Sequence, residues 1–366
     1  MNSTDIVIAR LISQQITGSK FTTVKDLVGW MGALQAQDYA MSKWALGVRL
    51  PGAILQDIET AIDAGDILRT HVLRPTWHLV SASDIYWMLA LTAPQIKSSL
   101  KSRHLQLGLS ETVLKQSSTL IEKALSGGKH LTREELLAEF KNAKMSTDDN
   151  RASHLLLMAE LDGLICSGAA KAGKPTYALL AERVPQSAPI TKEEALATLA
   201  KKYFSSRSPA ALQDFVWWSG LSAGSAKMAV EKVKSDFVYE TIDSQTYWYT
   251  KSNSIPRTGT DFISLLPAYD EFIISYRNRQ AVLPFENFNR VVSSNGIFRP
   301  TLIVNGQVMG IWKRTAIKDK VRVEIEFFAS PDQKTLDEIE KESAQYGRFL
   351  KKDVEIAWLV KPSGQS

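Results

Sequence analysis

Three times along this chain a run of helix-forming residues leads into two short strand-like segments, and beyond residue 260 strands dominate. These observations predict an α+β fold with three tandem winged-helix (helix-turn-helix) units followed by a C-terminal β-rich domain. The chain begins as a helix, with Ser3 or Thr4 expected as its cap. Leu27, Trp30, Met31 and Leu34 then recur at helical spacing, so a second helix with one buried face is expected from about Val24 to Leu34. It has to stop there. If the chain continues extended, Gln35 and Gln37 point to one side and Ala36 to the other, pairing two amides that each donate and accept hydrogen bonds. In a continuous helix they would sit roughly 200° apart.

Residues 67–80 are rich in β-branched and aromatic side chains and read as a two-stranded wing, with Pro75 restricted to an edge or a turn. Ser81 to Asp84 carries an acidic variant of the capping box and opens a helix over 85–91. A second box, Thr132-Arg-Glu-Glu135, starts another helix. A further helix runs from about Arg151 to Leu161 and ends at Gly163, and a hairpin of residues 164–166 and 176–179 follows. The order recurs from Thr191: a helix through Lys202, a helix from Ser208-Pro209 through Trp217, a helix over 222–233, then strands 237–242 and 246–251. Trp217 and Trp218 both read as core. After a Pro/Arg/Gly stretch at 255–260 come strands 301–304, 307–312 and 321–328 with an Asn305-Gly306 turn, a charged helix near 336–350 and a last strand over 354–360. The expected boundaries are 1–115, 116–186 and 187–255 for the three units, and 256–366 for the C-terminal domain.

Composition narrows the class. Across 366 residues, 44% are hydrophobic and 23% charged, with a formal net charge of +5, and no apolar run approaches the roughly 18 residues of a membrane span. The N-terminus lacks a basic leader, so a cytoplasmic protein is expected, nucleoid-associated when bound to DNA. The one cysteine, Cys166, excludes an internal disulfide framework and a thiolate zinc cluster, and its apolar neighbours suggest a buried structural thiol. No His-Glu-x-x-His zinc motif is present, and Lys129 and Lys174 lack the following Ser or Thr of a phosphate loop. No metal or nucleotide cofactor is implied. The basic balance permits a polyanionic partner where Lys and Arg cluster.

Five motifs in order across nearly the whole chain carry a resemblance: Gly32-Ala-Leu-Gln-Ala-Gln-Asp38, Arg74-Pro-Thr-Trp-His-Leu-Val80, Asp214-Phe-Val-Trp-Trp-Ser-Gly-Leu221, Leu265-Leu-Pro-Ala-Tyr-Asp-Glu-Phe272 and Gly306-Gln-Val-Met-Gly-Ile-Trp312. Together they resemble the AlkZ-like (azinomycin-resistance type) winged-helix DNA glycosylases, here the double-glutamine branch. That resemblance implies a monofunctional DNA N-glycosylase, a monomer acting on damaged double-stranded DNA, which hydrolyses the N-glycosidic bond of N7-alkylated purines or unhooks interstrand crosslinks. An N7-alkylated purine is already cationic and leaves as a neutral base, so the remaining demand is a correctly held water, within the reach of two amides. On this reading Gln35 and Gln37 position the water. Asp38 is either an electrostatic stabiliser or base beside them, or a helix cap. Arg69, Arg74 and His78 are candidate DNA contacts, with His71 and His78 equally readable as packing residues. Lys313 and Arg314 are a candidate backbone contact, part of a groove-entering hairpin, or a solvated pair. The alternative function is a non-catalytic winged-helix DNA-binding protein or regulator.

Overall fold

The computed structural model describes residues 2–242, 244–250 and 262–359. The Pro/Arg/Gly stretch at 255–260, and with it the boundary at 255/256, lies outside them, as do the expected strand ends at 251 and 360. Among the described residues there are four sheets. The first holds β1 (Ala33–Gln35), β2 (Ile67–Val72) and β3 (Thr76–Ser81); the second β4 (Leu131–Thr132), β5 (Ile165–Ser167) and β6 (Thr176–Leu179); the third β7 (Ala210–Ala211), β8 (Phe237–Ile242) and β9 (Gln245–Thr250). All three share one arrangement, in which the short first strand pairs with the third and the third with the second, all antiparallel. The fourth sheet runs β10 (Ile263–Leu266), β11 (Thr301–Val304), β12 (Gln307–Ile317), β13 (Lys320–Phe327) and β14 (Asp353–Leu359) in chain order, with β14 parallel to β13. No helix among the described residues is long and apolar enough to cross a membrane.

Local chemistry accounts for most elements, and tertiary contacts for the departures from expectation. The first helix, Ser3–Ser13, is capped one residue earlier than expected: Asn2 accepts from the Asp5 N–H and Asp5 answers to the Asn2 N–H. The helix Val24–Met31 ends three residues short of Leu34. Gly32 turns the chain with φ of 73°, and the Arg207 guanidinium captures the carbonyls of Met31 and Ala33, which a longer helix would have kept. The capping box expected at 81–84 does not form; Asp84 instead takes the Trp87 indole N–H and the Lys202 ammonium, and the helix continues from Ile85 to Gln106 through Pro94. Residues 210–211 are a strand where a helix was expected, so that helix is only Leu212–Ser219. The box at Thr132 and the helix Arg151–Leu161 are as expected.

The four sheets do not each keep a separate core. One apolar cluster joins the helices Ser3–Ser13, Val24–Met31 and Tyr39–Arg49 to the C-terminal sheet. At its centre Trp44 donates to the Leu265 carbonyl at 2.7 Å and packs on Tyr346 and Phe349, with ring centroids at 4.9 and 5.1 Å. A second cluster merges the β2–β3 hairpin with residues 196–237 and takes in Cys166, whereas most buried apolar residues between 107 and 179 form a third cluster. Two adjacent acids, Asp270 and Glu271, pin this arrangement. Asp270 takes both terminal nitrogens of Arg49 at 2.8 Å, and Glu271 pairs with Arg207 at 2.7 Å, each pair out of contact with water. Isolated charges at such depth would cost several kcal/mol each, so each needs its partner: Asp270 meets Arg49 bidentately, and Glu271 takes two Arg207 nitrogens on one oxygen.

Candidate active site

Gln35 ends β1, opposite His78 on β3. Its backbone N–H donates to Glu271 Oε1 at 2.8 Å, and its side-chain Oε1 accepts from Arg74 Nη2 at 3.3 Å. The other Glu271 oxygen accepts from Arg207, the Trp218 indole and Ser275. Burial alone would raise this carboxyl; the charge and hydrogen bonds of Arg207, with Ser275 and the Gln35 N–H, bring it instead down to about 2. Glu271 is therefore an anion at any physiological pH. It holds the glutamine's backbone in place while Arg74 holds the amide.

Beyond Gln35 the strand breaks. The Ala36 N–H donates to the Trp77 carbonyl, and the Ala36 carbonyl accepts from Arg69 Nε at 3.0 Å. Gln37 is exposed and, with Asp38 and Tyr39, lines an open cleft against Tyr269, Phe298 and Arg299. Asp38 caps the helix Tyr39–Arg49, its Oδ1 accepting from the Met41 N–H at 3.0 Å. Lys313 and Arg314 lie on β12, Lys313 exposed and paired with Glu324 at 3.2 Å, Arg314 donating to the Tyr346 hydroxyl. Burial raises the pKa of that hydroxyl, opposed by the charge and hydrogen bond of Arg314.

The β2–β3 hairpin separates its residues by face. Arg69, His71 and Trp77 share one side: the Arg69 guanidinium lies over the Trp77 ring at 4.2 Å, and His71 meets both Trp77 and the buried carboxylate of Glu160. Burial lowers the Arg69 pKa, opposed by Glu160. His78 requires a correction, because it points to the other side, into the protein. It is fully buried, with Nδ1 against the Thr76 carbonyl and Nε2 unpaired, and burial, followed by the charge of Arg74, lowers its pKa to about 3. A neutral, inaccessible imidazole packs behind Gln35 and cannot meet a DNA surface. The Trp pair also needs revision: Trp218 is core, whereas Trp217 is 40% exposed. Neighbouring residues on a helix point about 100° apart, so one can be buried while the other is not.

Sequence reasoning assigned no role to Glu271, Arg207 or Arg279. Glu271 sits inside the fourth motif, which signalled its importance without its partner.

A match to the family described as DNA glycosylase AlkZ-like spans residues 28–349. The chain belongs to the AlkZ-like DNA glycosylase family. An interstrand DNA cross-link repair glycosylase from Streptomyces sahachiroi is 25% identical over 351 residues, covering 89% of this chain and 90% of that protein. The solved structure of Streptomyces sahachiroi DNA glycosylase AlkZ superimposes with a TM-score of 0.80 at 19% identity, covering 98% of this chain and all of the other. The α+β fold is therefore that of an AlkZ-like glycosylase, and the doubly anchored Gln35 lies within the family match.

Proposed function

We propose that the protein is a monofunctional DNA N-glycosylase that releases N7-alkylated purines or unhooks interstrand crosslinks, with the attacking water held between Gln35 and Gln37. The observation that carries this reading is the double anchoring of Gln35, through its N–H to Glu271 and its amide to Arg74, two residues before an exposed Gln37 at an open cleft. A water oriented by fixed amides needs little reorganisation, and a cationic leaving base needs no proton. His78, neutral and sealed off, is no acid for this reaction. Asp38 spends one oxygen on its helix cap and leaves the other to stabilise positive charge developing on the sugar.

Each three-stranded sheet with its preceding helices is read as a winged helix, within the boundaries 1–115, 116–186 and 187–255, ahead of the β-rich domain. Arg69, Arg74, Lys313 and Arg314 are read as phosphate contacts on damaged duplex DNA, bound by a monomer that associates with the nucleoid. The test is release of 7-methylguanine from alkylated duplex by wild-type protein beside Gln35→Ala and Gln37→Ala, with duplex binding measured in parallel. Release lost with binding retained supports the assignment; binding by wild-type protein without release from this duplex or a crosslinked one would favour a non-catalytic DNA-binding protein.

A further inference from the structure

Arg74, which contacts Gln35, and Arg279 have no paired carboxylate among the described residues. Arg74 and Arg279 both approach the ring of Trp217, at 5.8 and 5.2 Å from its centroid. Among the described residues the Arg74 side chain donates only to Gln35, and its Nε is buried without a partner. Arg279 donates to the Ile273 carbonyl at 2.8 Å and the Arg277 carbonyl at 3.5 Å, leaving Nη2 buried and unpaired. The carboxylates in electrostatic range are both committed. Asp214 accepts from the Arg277 and Ala211 N–H groups and faces Arg10, and Glu271 is filled by Arg207, Trp218, Ser275 and Gln35. Burial, then the nearby charge of Arg74, lowers the Arg279 pKa to about 10, which still leaves it charged. Unpaired buried donors on close like charges are costly, and such a group calls for an acceptor that arrives from outside.

We propose that Arg74 and Arg279, splayed about the exposed Trp217, form a clamp for one DNA phosphodiester beside the damaged nucleotide. The proposal rests on the glycosylase reading for the identity of the anion. A phosphate held in the clamp would fix the Arg74 side chain, and with it the Gln35 amide, whose Oε1 has a second lone pair with which to accept from the water.

The experiment measures duplex binding by wild type, Arg279→Gln and Arg279→Lys, using DNA with an abasic analogue and methylphosphonates placed singly along the backbone. One position is expected at which neutralising the phosphate weakens wild type about tenfold, the scale of a charge-assisted hydrogen bond, and weakens Arg279→Gln, which keeps only Arg74, by clearly less. The salt slope of log Kd should fall by about one in Arg279→Gln, as for loss of one phosphate contact, and be retained in Arg279→Lys. Wild type and Arg279→Gln responding alike at every position would overturn the clamp. So would Arg279-dependent stabilisation by inorganic phosphate without any such position, which would make this a free-anion site. Because binding is read separately from base release, the clamp and the glycosylase reading fail independently.

Discussion

Gln35 and Glu271 lie 236 residues apart in sequence, and the glutamine N–H donates to the carboxylate at 2.8 Å. The same carboxylate neutralises Arg207, which ties down the carbonyls on either side of Gly32. The backbone that presents the first glutamine is thus set by a buried charge pair rather than by the helix before it. Glu271→Gln should leave Arg207 charged and unpaired at zero exposure, a loss of about 3–5 kcal/mol. Urea denaturation at neutral pH measures it; a variant as stable as wild type would show that the pair does not anchor the strand.

Gly220 bears on the other anchor. At φ of 69° it ends the helix Leu212–Ser219, and a Cβ there would come within 2.5 Å of the Leu73 carbonyl and 3.3 Å of Arg74 Cγ. Gly220→Ala therefore has to displace the β2–β3 turn that carries Arg74, with a cost of about 1–3 kcal/mol. Base release should fall by more than the unfolded fraction accounts for. Thermal denaturation and single-turnover release, measured together, separate the two effects.

Acid should destabilise the protein in a window set by His78. Its pKa is about 3 when folded against 6.5 ordinarily, so between those values the unfolded chain binds a proton that the folded one refuses. Stability then falls as pH drops from 6.5, by up to about 1.4 kcal/mol per unit. The depressed Glu271 adds its loss only below 4.5, its ordinary value. Denaturation curves from pH 7 to 5 should be distinctly flatter for His78→Gln than for wild type; equal slopes would remove His78 from the account.

These contacts mark the limit of what the chain discloses by itself. Caps and periodicity located the box at Thr132, the helix Arg151–Leu161, the Asn305 turn and most strands, because their determinants lie within four residues. β7 is only two residues long and exists through its pairing with β9, and the end of the second helix is fixed by Arg207 far downstream. Within the site, the two amides and their break from helix were legible. Glu271 was not, since nothing local distinguishes a carboxylate that will meet an arginine and a strand end from one that faces water.

Cys166 tests the packing between β5 and the β2–β3 hairpin with the helix Ile85–Gln106. The thiol is fully buried, and burial raises its pKa to about 12, so almost no thiolate exists at neutral pH. Native protein should react with a disulfide reagent only as fast as it opens, and stoichiometrically in denaturant. Rapid labelling without denaturant would mean that this interface opens readily.

Asp38 allows its two readings to be separated, because cap and charge respond differently to substitution. Its Oδ1 caps the helix Tyr39–Arg49, a function that asparagine performs equally well and alanine does not. Asp38→Asn should hold stability within a few tenths of a kcal/mol, whereas Asp38→Ala should lose about 1 kcal/mol. If the second oxygen stabilises positive charge on the sugar, both variants lose base release to a similar extent, since both lack the carboxylate. A residue serving only as a cap would leave Asp38→Asn as active as wild type. The pair of substitutions therefore assigns the carboxylate from the ratio of activity to stability, and the expected result is an Asp38→Asn protein that folds normally and releases base slowly.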